Sequence, residues 1–183
     1  MIERKNIRQC LSDSIFDLLG KSTLDSLSVK QICANCSVSR RAFYNYYKDK
    51  YDLLNQSVRF RIRQCIHARN DRIDWYSSAR NILDEFYKNP KVYKNAFSYI
   101  GQNNLEEYLN DSFYESYMFW VDSVEEGDGE QKERFSFVVE FFTRGIAHSI
   151  SKWVSSGMQV TPNEMVELLE LCMPPLIRKW FLM

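Results

Sequence analysis

Apolar residues recur at helical spacing along almost the whole chain, and the alternation expected of strands is nearly absent. Ile7, Leu11, Ile15, Leu18 and Leu19 line one face of a first helix, with Gly20 as its C-terminal stop. Ser28-Val29-Lys30-Gln31 reads as a capping box, in which the serine hydroxyl and the glutamine amide cover orphan backbone donors. A short helix from about 29 to 35 should follow. Ser39 is the next N-cap and starts a second short helix through about Tyr46. Asp49 caps a longer helix on which Leu53, Leu54, Val58, Ile62 and Ile66 share a face.

The period continues beyond about residue 71. Trp75, Ala79, Ile82, Leu83 and Phe86 form a stripe stopped by Asn89-Pro90. Val92, Tyr93, Ala96, Phe97 and Ile100 form another, stopped by Gly101, and Leu105, Tyr108, Leu109, Phe113, Trp120 and Val124 form a third. EEGDGE, residues 125–130, reads as an exposed acidic loop. A long helix is expected from about 131 to 156, with Gly157 at its end. Thr161-Pro162-Asn163-Glu164 starts the next helix, with a cap, a first-turn proline and a glutamate at the third position. Pro174-Pro175 should break that helix near Cys172. The expected fold class is all-α.

Composition adds one decisive asymmetry. The formal net charge of the 183 residues is zero, yet residues 1–70 hold 13 Lys+Arg against 6 Asp+Glu, and residues 71–183 hold 11 against 18. A first part at +7 suits a polyanionic partner, and a remainder at −7 does not. The start, MIERKNIRQC, carries no apolar run, so no signal peptide is expected, and no stretch of eighteen apolar residues offers a membrane span. Five cysteines scattered at 10, 33, 36, 65 and 172 are no disulfide framework and fit a reducing cytoplasm.

Cys33-x-x-Cys36 has two chemical readings and one packing reading. A redox pair needs its first thiolate at a helix N-terminus, and these cysteines fall at the end of a short helix. A zinc site needs four ligands, and no second Cys or His pair has suitable spacing, since His67 and His148 lie in different predicted helices. Small apolar residues packed between helices account for both cysteines, so no metal or cofactor is expected. Gly-rich phosphate loops, nucleophile elbows and HExxH are absent, so no enzyme is expected; an all-α enzyme is the distant alternative.

Two short helices joined by Cys36-Ser37-Val38 outline a helix-turn-helix. The stretch SVKQICANCSVSRRAFYNYYKDKYDLL, residues 28–54, resembles the DNA-binding signature of TetR-family transcriptional regulators. Ile32, Cys33, Cys36, Val38, Ser39, Tyr44, Tyr47, Lys50 and Leu53 carry the resemblance. The family usually has glycine in the turn, where φ is positive, and this chain has Ser37. A second stretch, FFTRGIAHSISKWVSSGMQVTPNEMVELL at 141–169, is similar to the last two helices of a TetR subgroup that includes regulators of the dihydroxyacetone-kinase type.

The resemblance implies a helix-turn-helix head over 1–48, a connecting helix at 49–70 and a helical ligand-binding and dimerisation body over 71–183. Arg40, Arg41 and Asn45 are then placed at base edges, since Arg pairs with guanine and Asn with adenine through two hydrogen bonds each. Tyr44, Tyr46, Lys48 and Lys50 fall to phosphates, Ser28 and Ser39 at the two helix starts complete the DNA-facing set, and Phe43 and Tyr47 hold the recognition helix to the core. In the body, Phe97, Tyr117, Trp120, Phe141, Arg144 and His148 are the candidate ligand pocket, with His148 alternatively at a dimer seam. Phe137 and Phe142 are expected in the core. The seam itself is expected along 131–156 and 161–172, where Gly145, Ala147 and Ser149 permit close approach. The expected function is a ligand-responsive repressor binding a pseudo-palindromic double-stranded DNA operator as a homodimer. The alternative is an activator whose body binds a protein co-activator instead of a small molecule.

Overall fold

The computed structural model describes residues 4–67, 75–124 and 129–181, with side chains over 7–65, 75–119 and 132–179. Ten helices and no strand occur among the described residues. The first four are α1 (Arg4–Leu19), α2 (Val29–Asn35), α3 (Arg40–Tyr44) and α4 (Lys50–His67). Then come α5 (Trp75–Lys88), α6 (Pro90–Phe97), α7 (Leu105–Val124), α8 (Gly129–Ser155), α9 (Pro162–Leu171) and α10 (Pro175–Phe181).

Local chemistry sets most boundaries. Ser28 and Thr161 each close a full capping box, with Gln31 and Glu164 as the reciprocal partners. Asp49 caps α4 by accepting from the N–H groups of Tyr51 at 2.9 Å and Asp52 at 2.8 Å. Gly157, at φ +89°, ends α8 in a left-handed turn closed by Met158 N–H donating to Trp153 O at 2.8 Å. Pro174 separates α9 from α10, where the double proline predicts a break.

Three boundaries depart from expectation. Helix α8 starts at Gly129, so part of the acidic stretch is helical, and residues 125–128 lie outside the described residues. Helix α3 ends at Tyr44 rather than near Tyr46. Helix α6 ends at Phe97, which leaves Ile100 91% exposed instead of on its apolar stripe.

The amino-terminal helices share a core of Leu11, Ile15, Leu19, Ile32, Phe43, Leu53 and Val58, all buried. Helices α7 and α8 run antiparallel: Thr143 Oγ1 donates to Asn110 Oδ1 at 3.1 Å, and His148 meets Glu106 at 3.0 Å. The indole N–H of Trp75 donates to the buried Tyr117 hydroxyl, tying α5 to α7, and burial raises the Tyr117 phenol. Helix α6 reaches α1 through Asn95, whose amide donates to Leu19 O at 2.7 Å. Helix α4 meets the region beyond it at both ends. Tyr51 stacks on Tyr99, and near the other end Arg61 lies 3.6 Å from Glu85.

Candidate nucleic-acid interface

The helix-turn-helix is built by two caps and one unusual backbone angle. Ser28 Oγ accepts from Gln31 N–H, and Gln31 Oε1 accepts from both the Ser28 N–H and its hydroxyl. Helix α2 ends at Asn35, and Val38 N–H donates back to Cys33 O at 3.0 Å. Ser37 takes φ +55°, the left-handed angle for which glycine is the usual residue. A serine there costs on the order of 1 kcal/mol. Ser39 then caps α3, its Oγ accepting from Ala42 N–H at 3.1 Å.

A single turn and a half of helix cannot hold itself together in water. Its inner side chains do so: Phe43 and Tyr47 are buried with ring centroids 5.8 Å apart, and Val38 is buried at the turn. That leaves Arg40, Arg41, Tyr44, Asn45 and Lys48 exposed together. No carboxylate pairs with Arg40, Arg41 or Lys48 among the described residues. Tyr44 stands edge-on against Phe43 at 5.2 Å, which fixes its ring while 52% of the residue stays exposed. Tyr46 is half-buried, with the Arg8 guanidinium 5.2 Å over its ring. No sequence pattern singles out Arg8, which lies far away along the chain; only the fold brings it to this edge.

Lys50, expected at a phosphate, is instead engaged within the chain. Its ammonium donates to three backbone carbonyls, Leu24 O at 2.8 Å, Asp25 O at 3.0 Å and Leu27 O at 2.8 Å. An ammonium has three donors, and all three are occupied inside the protein. Ser28 is likewise occupied as a cap, its hydroxyl donating at 2.7 Å.

The cysteines sit behind this surface. Cys33 is buried, and Cys36 is half-buried with its thiol donating to Ile32 O at 3.4 Å. Burial raises both thiols above the ordinary range, the reverse of what a reactive pair needs.

Residues 13–56 match the family model described as bacterial regulatory proteins, tetR family, and residues 74–174 match a transcriptional regulator C-terminal region. The chain belongs to the TetR family of transcriptional regulators. Two solved structures show the same fold. One is the dihydroxyacetone kinase operon activator DhaS, at TM-score 0.64 and 16% identity, covering 95% of this chain and 97% of that one. The other is the TetR family repressor AlkX from Dietzia sp. strain DQ12-45-1b, implicated in biodegradation of n-alkanes, at TM-score 0.54 and 14% identity, covering 98% and 99%. Compared by sequence with curated proteins, the chain finds no significant match.

The ligand pocket expected of this TetR-family body does not assemble from the residues named for it. Phe97 and Tyr117 are buried, Phe97 packed edge-on against Phe86 at 6.2 Å. Phe141, Arg144 and His148 lie on the outer face of α8, with Phe141 74% exposed. Arg144 pairs with Glu140 at 3.1 Å, and His148 with Glu106. The spacing places these three on one face, but that face points away from the core that holds Phe97 and Tyr117. The Trp120 side chain lies outside the described residues. Phe137, expected in the core, is 71% exposed on the same outer face, whereas Phe142 is buried as expected. Gly145 shares the outer face, with nothing within 4 Å of an added Cβ. Ala147, expected at the seam, is instead buried in the core, while Ser149 is half-buried. No helix among the described residues is long and apolar enough to cross a membrane.

Proposed function

We propose that the chain is a sequence-specific DNA-binding regulator that acts as a cytoplasmic homodimer on a pseudo-palindromic operator. The observation that carries this reading is the exposed, unpaired row of Arg40 and Arg41 on α3 and Asn45 at its C-cap, backed by the buried Phe43 and Tyr47. Arg41 and Asn45 lie four residues apart and point the same way, Arg40 flanks them, and a helix entering the major groove presents its first turn to base edges. Tyr44, Tyr46 and Lys48 then flank the groove at phosphates. In this reading residues 1–48 are the DNA-binding head, 49–70 the connecting helix and 71–183 the body.

Apolar side chains on the outside support a second copy as partner. Phe137 and Phe141 on α8 and Leu168 and Leu171 on α9 are exposed, at 71%, 74%, 51% and 78%. Exposed apolar surface of that kind marks association. The seam therefore runs along the outer faces of α8 and α9, with Gly145 as the point of close approach.

The response of the regulator has two readings. A repressor would be released by a small molecule that prefers the DNA-incompetent state. An activator would instead carry a protein partner on its body. One observation favours the second: the similar structure DhaS is described as an operon activator. Selection of duplexes from a randomised pool by the full-length protein tests DNA recognition. Enrichment of an inverted repeat supports the proposal, and enrichment of nothing contradicts it.

A further inference from the structure

Lys50 is the first residue of α4, yet its side chain reaches back to the connection between α1 and α2. That connection is short and tightly turned. Ser26 N–H donates to Thr23 O and Leu27 N–H to Leu24 O, both at 3.2 Å, while the Leu24 and Leu27 side chains are buried. The turns leave the carbonyls of Leu24, Asp25 and Leu27 converging on one point, and the ammonium fills it at 2.8, 3.0 and 2.8 Å. Three converging carbonyls without a cation would set like dipoles against one another at a partly exposed site.

Leu27 immediately precedes Ser28, the N-cap of α2. Through it Lys50 holds the entry of the helix-turn-helix against α4. On the other side Lys50 is itself fixed. Asp49 caps α4, the ammonium lies 5.1 Å over the Tyr51 ring, and Tyr51 stacks on Tyr99 with centroids 4.3 Å apart. A continuous set of contacts therefore runs from Tyr99, beyond α6, to Leu27, the residue before the N-cap of α2.

We propose that Lys50 is a positioning residue for DNA recognition, a staple that sets the helix-turn-helix against α4, and not a phosphate ligand. The role rests on the DNA-binding reading above. Lys48, two residues earlier, provides the internal contrast: it is exposed and its ammonium has no partner among the described residues. Burial lowers the Lys50 ammonium from its ordinary range, with Asp25 and Asp49 opposing, as befits a group held by the protein rather than by solvent.

The test uses the full-length protein, a duplex selected by the wild type, and the variants Lys48→Ala, Lys50→Met and Lys50→Arg. Affinity is measured against salt, and amide exchange is followed on the free protein. Lys48→Ala is expected to make the log–log salt slope shallower by about one. Lys50→Met is expected to lose roughly tenfold or more in affinity at unchanged slope, and to speed exchange across residues 24–35 while α8 stays protected. Lys50→Arg keeps the charge, but its planar fork cannot point three donors at one small cluster of carbonyls. It is expected to behave as Lys50→Met does. A shallower slope for Lys50→Met with unchanged exchange at 24–35, or near-wild-type binding and exchange for Lys50→Arg, overturns the proposal. If the wild type selects no duplex, the DNA-binding reading fails, and the exchange data alone still decide whether Lys50 is a staple.

Discussion

Tyr51 lies almost flat on Tyr99, with ring centroids 4.3 Å apart and planes inclined by 23°. The first belongs to the opening turn of α4 and the second to the loop after α6, so this stack joins the amino-terminal helices to the rest of the chain. An aromatic pair is worth roughly 0.5–1.5 kcal/mol beyond its burial. Double-mutant cycles with Tyr51→Ala and Tyr99→Ala, read by urea unfolding, are expected to give a coupling of about that size. Additive effects would mean that the rings do not act together.

The same contact predicts an alkaline limit. Burial, and then the hydrogen bond with Tyr99, pushes the Tyr51 phenol up to about 12. The folded chain therefore holds this proton more tightly than the unfolded chain, whose phenol titrates near 10. Its contribution to stability is complete below about pH 10 and is lost as the pH rises toward about 12. Wild type and Tyr51→Phe compared by urea unfolding across that range should converge as the pH rises; parallel curves would contradict the shift.

Arg61 bridges three helices. Its guanidinium lies 3.9 Å over the Phe16 ring, 3.7 Å from Asp13 and 3.6 Å from Glu85, and Glu85 also accepts from the buried Tyr93 hydroxyl at 3.0 Å. Arg61→Ala strands Glu85 in this setting and is expected to cost about 1–3 kcal/mol, below the value for a fully buried pair because the side chain is 28% exposed. Arg61→Lys restores the charge but not the planar stack, so it should recover only part of the loss. Full recovery in urea unfolding would show that charge alone matters.

These contacts mark where sequence reading stops. Capping boxes at Ser28 and Thr161 span four residues and are legible because each depends only on neighbours, whereas the left-handed angle at Ser37 has no local signal, since serine stands where glycine is usual. Lys50 reaches carbonyls 23 to 26 residues away, and Arg61 reaches Asp13 and Glu85 on other helices; no local pattern encodes either. Periodicity also fixes which residues share a helix face without saying which face is inside. Phe141 and Arg144, read from their spacing as lining an interior pocket, lie exposed on the outer face of α8, and so does His148, for which the seam is the alternative reading.

The outer face of α8 and α9 gives a direct test of assembly. Phe141 and Leu171 are 74% and 78% exposed in a single chain, so Phe141→Glu and Leu171→Glu should leave the subunit folded. The double variant is expected to run as a monomer by light scattering and to lose operator affinity, because one head reads one half-site. A dimer that survives both changes places the interface elsewhere.

The cysteines allow a simple check of scaffold against chemistry. Cys33→Ala with Cys36→Ala is expected to cost roughly 1–2 kcal/mol in stability and to leave operator selection unchanged. Stoichiometric zinc in the wild type that disappears in this variant would contradict a packing role.

The central claim is that Arg40 and Arg41 of α3 and Asn45 at its C-cap read bases. Operator selection from a randomised pool, run in parallel for wild type, Arg40→Ala, Arg41→Ala, Asn45→Ala and Lys48→Ala, tests it most directly. Each of the first three variants should relax preference at one base pair per half-site, with a loss of about 1–3 kcal/mol at the wild-type operator. Lys48→Ala should weaken all sequences alike. If all four variants keep the wild-type sequence preference and differ only in overall affinity, base reading by this helix is contradicted.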